Sequence, residues 1–106
     1  MIRVIVVDDE PLAQEELQRL ISQDKDFRVI EAASNGTEGI EKIKKNEPDV
    51  VFLDVEMPGM NGLEVASGLA QFENPPRIVF ATAYNQYAID AFNMNAIDYI
   101  LKPYQP

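Results

Sequence analysis

The stretch Asp49-Val50-Val51-Phe52-Leu53-Asp54-Val55-Glu56-Met57-Pro58-Gly59-Met60-Asn61-Gly62 decides how the rest of the chain is read. It opens with an apolar run, Val50 to Leu53, flanked by an acid on each side. The run is short, β-branched at Val50 and Val51, and stopped by Pro58-Gly59, so it reads as a buried strand. A strand that is apolar on both faces belongs in a parallel sheet covered by helices. Asp54 then falls at the carboxyl end of that strand, the edge at which open α/β sheets bind ligands. An acid at this place also suits an Asx-turn ahead of Pro58-Gly59. Asp54 alone does not separate the two readings.

The flanking sequence repeats the same alternation. Ile2 to Val7 is a Val- and Ile-rich strand that ends in Asp8-Asp9-Glu10. Pro11 suits the first turn of a helix, with Asp9 as its cap, and Ala13, Leu17, Leu20 and Ile21 recur at helical spacing. Phe27 to Ala33 supplies a second strand, and Asn35-Gly36 a turn. Ile40 and Ile43 mark a second helix, with Lys42, Lys44 and Lys45 at its negative end before Pro48 stops it. Beyond Gly62 a third helix carries Leu63, Ala66 and Leu69 on one face and is broken by Asn74-Pro75-Pro76. Arg77 to Thr82 reads as a fourth strand. Asn85 can cap a fourth helix bearing Ala88, Ala91 and Phe92, and residues 96–101 form a fifth strand closed by Lys102-Pro103. No internal repeat, low-complexity tract or linker interrupts this order.

Five strands alternating with four helices predict one α/β domain over residues 1–106, built on a parallel sheet from right-handed crossovers. A fifth helix is the next element expected, so the domain reads as truncated before it. Part of one face over the last strands then needs a partner, a second copy of the chain or a further segment.

Composition narrows the function classes. The chain has 106 residues, 46% of them hydrophobic, which suits a single globular domain. Nine basic against eighteen acidic residues give a formal charge of −9, which argues against this domain gripping nucleic acid or an anionic membrane. Without cysteine there is neither a disulfide nor a thiolate metal site. Histidine is also absent, which removes the commonest general base and metal ligand. No apolar run reaches membrane-spanning length and the N-terminus lacks a signal-peptide design, so a cytoplasmic location is expected.

The polar residues at the strand ends carry the chemistry. Asp8 and Asp9 end strand one, Asp54 strand three, Thr82 strand four and Lys102 strand five. In the flavodoxin-like order 2-1-3-4-5, strands one and three are neighbours at the switch point. Three carboxylates converging there repel one another unless a cation or proton intervenes. Oxygen-only ligands select a hard ion, and Mg2+, which keeps waters and a phosphate oxygen, fits best. Each residue also has an ordinary role: a helix cap for Asp8 or Asp9, a β-former for Thr82, a turn residue for Lys102, packing for Tyr99. Those roles do not explain why almost every strand end supplies the group that phosphoryl chemistry requires.

The segments Val6-Val7-Asp8-Asp9-Glu10-Pro11, Phe52 to Gly62, Ala81-Thr82-Ala83 and Asp98-Tyr99-Ile100-Leu101-Lys102-Pro103 resemble the receiver domain of bacterial two-component response regulators. The resemblance covers the chain in the family's order except for the last helix. It implies a flavodoxin-like three-layer sandwich and a regulatory domain that catalyses its own phosphorylation and dephosphorylation. By it, Asp54 is the phosphoacceptor for a sensor histidine kinase. Asp8 and Asp9 match the acidic pair that binds Mg2+, Asp9 directly and Asp8 mainly through water, with the Glu56 backbone carbonyl completing the set. Lys102 matches the lysine that pairs with a phosphate oxygen, and Pro103 the cis-proline that aims it. Thr82 matches the switch hydroxyl and Tyr99 the aromatic that turns inward with it. Ala83, being small, leaves the phosphate approachable, while Glu56 and Tyr84 occupy positions that tune dephosphorylation.

The run from Thr82 to Phe92, with Ala96-Ile97-Asp98-Tyr99, is similar to receivers that precede a LytTR-type DNA-binding domain. DNA binding and transcription regulation would then belong to a longer parent protein. Without the fifth helix the usual homodimer surface is in question. A pseudo-receiver that binds partners without phosphoryl transfer is the alternative, although such modules typically lose members of the set Asp8, Asp9, Asp54, Thr82 and Lys102. A haloacid-dehalogenase-like phosphatase would place Asp-x-Asp on strand one under a cap, which this sequence does not do.

Overall fold

The computed structural model describes residues 1–83, 86, 90, 93, 96 and 98–102. Its elements are β1 (Ile2–Val7), α1 (Pro11–Ser22), β2 (Phe27–Ala33), α2 (Gly36–Asn46), β3 (Val50–Leu53), α3 (Gly62–Leu69), β4 (Arg77–Thr82) and β5 (Asp98–Leu101). All strands are parallel and pair in the order β2-β1-β3-β4-β5. This is the flavodoxin-like arrangement expected from the sequence, with its switch point between β1 and β3. Residues 85, 88, 91 and 92, on which the expected fourth helix rests, lie outside the described residues.

Strand side chains alternate between two apolar layers. Ile5, Val7, Val51, Leu53, Ile78 and Phe80 face the layer completed by Ile43 of α2 and Val65, Ala66 and Leu69 of α3. Val4, Val6, Val50, Val79 and Ala81 face the other way, onto Leu17 and Ile21 of α1. Burial on both faces is why these strands read as unbroken apolar runs. On the α1 side, Phe52 and Ile100 are only half-buried and border a shallow groove with Leu17, Leu20, Ile21 and Phe27.

Several local expectations are corrected. The N-cap of α1 is Glu10 rather than Asp9, and its side chain makes no capping bond. Asn35 and Gly36 form no separate turn: Asn35 caps α2 by accepting from the Glu38 N–H at 2.8 Å. Helix α3 ends at Leu69, short of the prolines. The N–H groups of Gln71 and Phe72 bond to the carbonyls of Gly68 and Leu69 at 3.2 and 3.1 Å, tightening the chain so that Phe72 packs against the core. Val65, absent from the predicted apolar face of α3, is fully buried because that helix packs against both the sheet and α2.

Candidate functional site

Strand order and register put the polar strand ends side by side. Val7 lies opposite Leu53, so Asp8 and Asp54, each the next residue, leave the sheet together. Their N–H groups extend the ladder, Asp8 to the carbonyl of Ala33 at 3.0 Å and Asp54 to that of Val7 at 2.9 Å. Thr82 lies opposite Leu101, and the Lys102 N–H bonds to the Thr82 carbonyl at 2.8 Å. Asp8, Asp54, Thr82 and Lys102 thus start from backbone positions fixed by sheet hydrogen bonds.

The loops add further restraints. Glu10 N–H donates to Asp8 Oδ1 at 2.9 Å, an Asx-turn that orients the Asp8 carboxylate. Gln14, one turn into α1, donates through Nε2 to the carbonyls of Asp8 and Ala33, both at 3.1 Å, tying β1 to β2 at this edge. After Asp54, Val55 and Met57 plug into the core, and Gly62 N–H returns to the Val55 carbonyl at 2.8 Å. Asn61 and Glu64 then form a reciprocal capping box that starts α3. Gly62 is required at this return. A Cβ there would overlap the Asp54 carbonyl oxygen.

Four carboxylates and one ammonium meet at the edge. One oxygen each from Asp8, Asp9, Glu10 and Asp54 lies within 4.8 Å of the others. Lys102 Nζ is 2.8 Å from Glu10 Oε1, 2.9 Å from Asp8 Oδ2 and 3.2 Å from Asp54 Oδ2. Asp8 and Asp54 are buried, at 2% and 3% exposure, so their charges are poorly solvated. Burial, reinforced by the Asp8 charge, pushes the Asp54 carboxyl up to about 6 despite the opposing Lys102. Burial and then Asp8 also raise Asp9. For Lys102, burial acts to lower the pKa, but contact with Glu10 and Asp8 and the charge of Asp54 outweigh it and hold the ammonium above its ordinary range.

The donor set suits a hard cation. Among the described residues Asp9 Oδ1 is buried with no hydrogen-bond donor, and Asp8 Oδ2 has no donor beyond the off-line ion pair to Lys102. Buried carboxylate oxygens left in this way are stabilised by a metal ion, and all-oxygen ligation selects Mg2+ or its relatives.

The remaining predicted residues surround the cluster. Thr82 is fully buried at the end of β4 and Ala83 beyond it is exposed. Glu56 is exposed in the β3–α3 loop. Tyr99 is half-buried, its ring 6.4 Å from that of Phe80 and tilted by 48°. Tyr84 and Pro103 lie outside the described residues. Two residues in the cluster escaped sequence reasoning, Glu10 and Gln14. A third consecutive acid directly before Pro11 was the available signal for Glu10; Gln14 left none, because its partners are backbone atoms of two strands.

A flavodoxin-like sheet that gathers carboxylates and a lysine at its switch point places the chain in the class of α/β domains whose site lies at the carboxyl edge of a parallel sheet. The chain belongs to the response regulator receiver domain family, which matches residues 4–106. It is 49% identical over 104 residues to the sensory transduction protein LytT of Bacillus anthracis, in agreement with the resemblance to receivers of LytTR-type regulators; the match covers 98% of this chain and 42% of that protein. The chain thus spans less than half the length of this curated relative. Among solved structures, the response regulatory domain of protein mrkE from Klebsiella pneumoniae is similar with a TM-score of 0.90 and 40% identity, over 97% of this chain and 84% of that one. The response regulator protein TrrA of Thermotoga maritima, solved in complex with Mg2+–BeF, gives a TM-score of 0.88 and 35% identity over 99% of this chain and 90% of that one. Among the described residues no helix is long and apolar enough to cross a membrane.

Proposed function

We propose that the domain is a phosphorylation-dependent switch of a two-component system, with Asp54 as the phosphoacceptor. One observation carries the reading. Asp8, Asp54 and Lys102 arrive from three different strand ends, and the ammonium stands within 2.9 and 3.2 Å of the two buried carboxylates. An Asp54 carboxylate oxygen attacks the phosphorus of a phosphohistidine on a sensor histidine kinase. The P–N bond breaks, its electron pair stays with the imidazole, and an aspartyl phosphate results. Nucleophile and phosphoryl group are both anionic, so their approach needs positive charge already in place. Lys102 supplies part of it. Mg2+, held by Asp8, Asp9, Asp54 and the Glu56 backbone carbonyl, would supply the rest by neutralising the phosphoryl oxygens. The buried carboxylate oxygens without donors support this assignment, as does the relative solved with Mg2+–BeF.

Thr82, buried beside the cluster, would donate its hydroxyl to the new phosphoryl group, and the exposed Ala83 keeps the approach open. Tyr99 packs against Phe80, opposite it on β4, so a shift of Thr82 would be read out through Tyr99 on the β4–β5 surface. Residues 1–106 would form the receiver part of a longer cytoplasmic regulator whose DNA-binding output domain lies elsewhere in the protein. The domain catalyses only its own modification and its hydrolysis.

Intact mass after incubation with acetyl phosphate, with and without Mg2+, tests the reading. A single phosphoryl adduct that requires Mg2+ and is lost in Asp54→Asn is expected. A folded protein that gains no adduct under these conditions would be a pseudo-receiver, and the proposal fails.

A further inference from the structure

One of the three carboxylates around Lys102 has no part in the transfer. An ammonium has three N–H donors. Here two are engaged, by Glu10 at 2.8 Å and Asp54 at 3.2 Å, and the Asp8 carboxylate stands 2.9 Å away as an off-line ion pair, so carboxylates crowd the ammonium on three sides where a phosphoryl oxygen would pair with it. Asp8 and Asp54 are buried and fixed by an Asx-turn and by the sheet ladder. The Glu10 side chain is 62% exposed, and releasing the ammonium returns its carboxylate to water. It sits at the N-cap of α1 yet makes no capping bond, and among the described residues its partner is Lys102.

We propose that Glu10 is a positioning residue for Lys102. In the resting domain it occupies the outer donor of the ammonium, and it must let go before that donor can serve a phosphoryl oxygen. The inference rests on the reading of Asp54 as phosphoacceptor and deepens it. Glu10 thereby slows phosphorylation by holding the lysine in a pairing that the transition state cannot use.

The test compares the protein with Glu10→Ala and Glu10→Asp. Neither substitution removes a capping bond, and thermal unfolding checks that both variants are folded. Two quantities are measured: the rate constant for phosphorylation by acetyl phosphate at saturating Mg2+, and the Mg2+ dissociation constant by titration calorimetry. Glu10→Ala is expected to phosphorylate about two- to fivefold faster, the range an exposed ion pair is worth. Glu10→Asp, one methylene shorter, should be faster to a similar degree because its carboxylate no longer reaches Nζ. Mg2+ affinity should weaken by no more than about threefold, as for a nearby, screened charge.

An unchanged rate in Glu10→Ala overturns the inference. So does a fast Ala variant beside an Asp variant that matches the unmodified protein, because the field of the carboxylate rather than its contact would then be responsible. A loss of Mg2+ affinity beyond about tenfold, the scale of losing a group that helps hold the metal, would make Glu10 a ligand instead. If the unmodified protein gains no adduct on Asp54, both this inference and the reading beneath it fall. If it does gain one and both variants are phosphorylated at the unmodified protein's rate, this inference alone falls.

Discussion

Replacing Gly62 by alanine measures how rigidly the fold holds Asp54. A Cβ on Gly62 would overlap the Asp54 carbonyl oxygen and stand 2.8 Å from Val55 Cα and 2.9 Å from the Asp54 carbonyl carbon. All three atoms are backbone, so no side-chain rotation relieves the overlap. The backbone has little freedom to retreat either, because Asp54 N–H is bound to the Val7 carbonyl and Val55 is in the core. Helix α3 is held from its own side by the Asn61–Glu64 capping box and by buried Val65, Ala66 and Leu69. Overpacking typically costs about 1–3 kcal/mol, and rigid atoms on both sides put Gly62→Ala near the top of that range. A loss of about 3 kcal/mol lowers Tm by roughly 12–24 °C in a domain of this size. Gly68→Ala, further along the same helix, is the control: its Cβ would meet only Ile40 Cδ1 at 3.7 Å, an ordinary contact. There alanine should raise stability by about 0.5–1 kcal/mol through its better helix propensity. Urea unfolding followed by circular dichroism reads both variants, and the rate of acetyl phosphate labelling reports whether Asp54 has moved. Gly62→Ala within about 0.5 kcal/mol of the parent, the range of an ordinary surface change, would refute the steric argument.

Two further outcomes follow from the same geometry. Without Mg2+, the folded domain keeps a proton on Asp54 up to about pH 6, whereas the unfolded chain releases it near the ordinary aspartate value of 3.8. Stability contributed by that protonation is present at low pH and lost as pH rises through this window. At pH 7 the buried charge therefore costs up to about 3 kcal/mol, and Asp54→Asn should be more stable there by about 1–3 kcal/mol, with little gain near pH 4. Urea midpoints in EDTA at the two pH values check this; a gain that is larger at low pH would contradict the sign. Glu47, the C-cap of α2, has φ of 46° and ψ of 62°, a left-handed conformation that favours glycine. Glu47→Gly should add about 0.5–1 kcal/mol, since the bonds made at this residue, to Arg3 and Ile43, use only its backbone. A lower urea midpoint would show that the Glu47 side chain outweighs the strain.

Most of the frame was legible in the chain itself. β1, β3 and β4 stand out as apolar runs because most of their side chains are buried on both faces, whereas the edge strand β2 carries Arg28 and Glu31 and is only partly buried. Helix ends were less legible. Pro48 announces the end of α2, but nothing local shows that Glu47 adopts a left-handed conformation to reach it. The end of α3 at Leu69 is set by Phe72 turning back to the core, a contact that periodicity does not encode. The strand-end acids and Lys102 could be picked out as candidates because each directly follows an apolar run.

What the sequence determined by itself, then, is the order of elements and the chemical character of each strand end. Periodicity, breakers and apolar runs are local properties, and each is readable over a few residues. The tertiary structure decided which of those ends touch. Lys102 reaches Asp54 across 48 positions and Glu10 across 92. Those meetings depend on the crossover order β2-β1-β3-β4-β5 and on the pairing of Val7 with Leu53 and Thr82 with Leu101. A shift of one residue in either register would turn the side chains at that edge to the opposite face of the sheet. The Glu10 contact and the overlap that forbids a side chain at Gly62 arise only once strands and loops are closed against one another, because both depend on distances between segments remote in the chain.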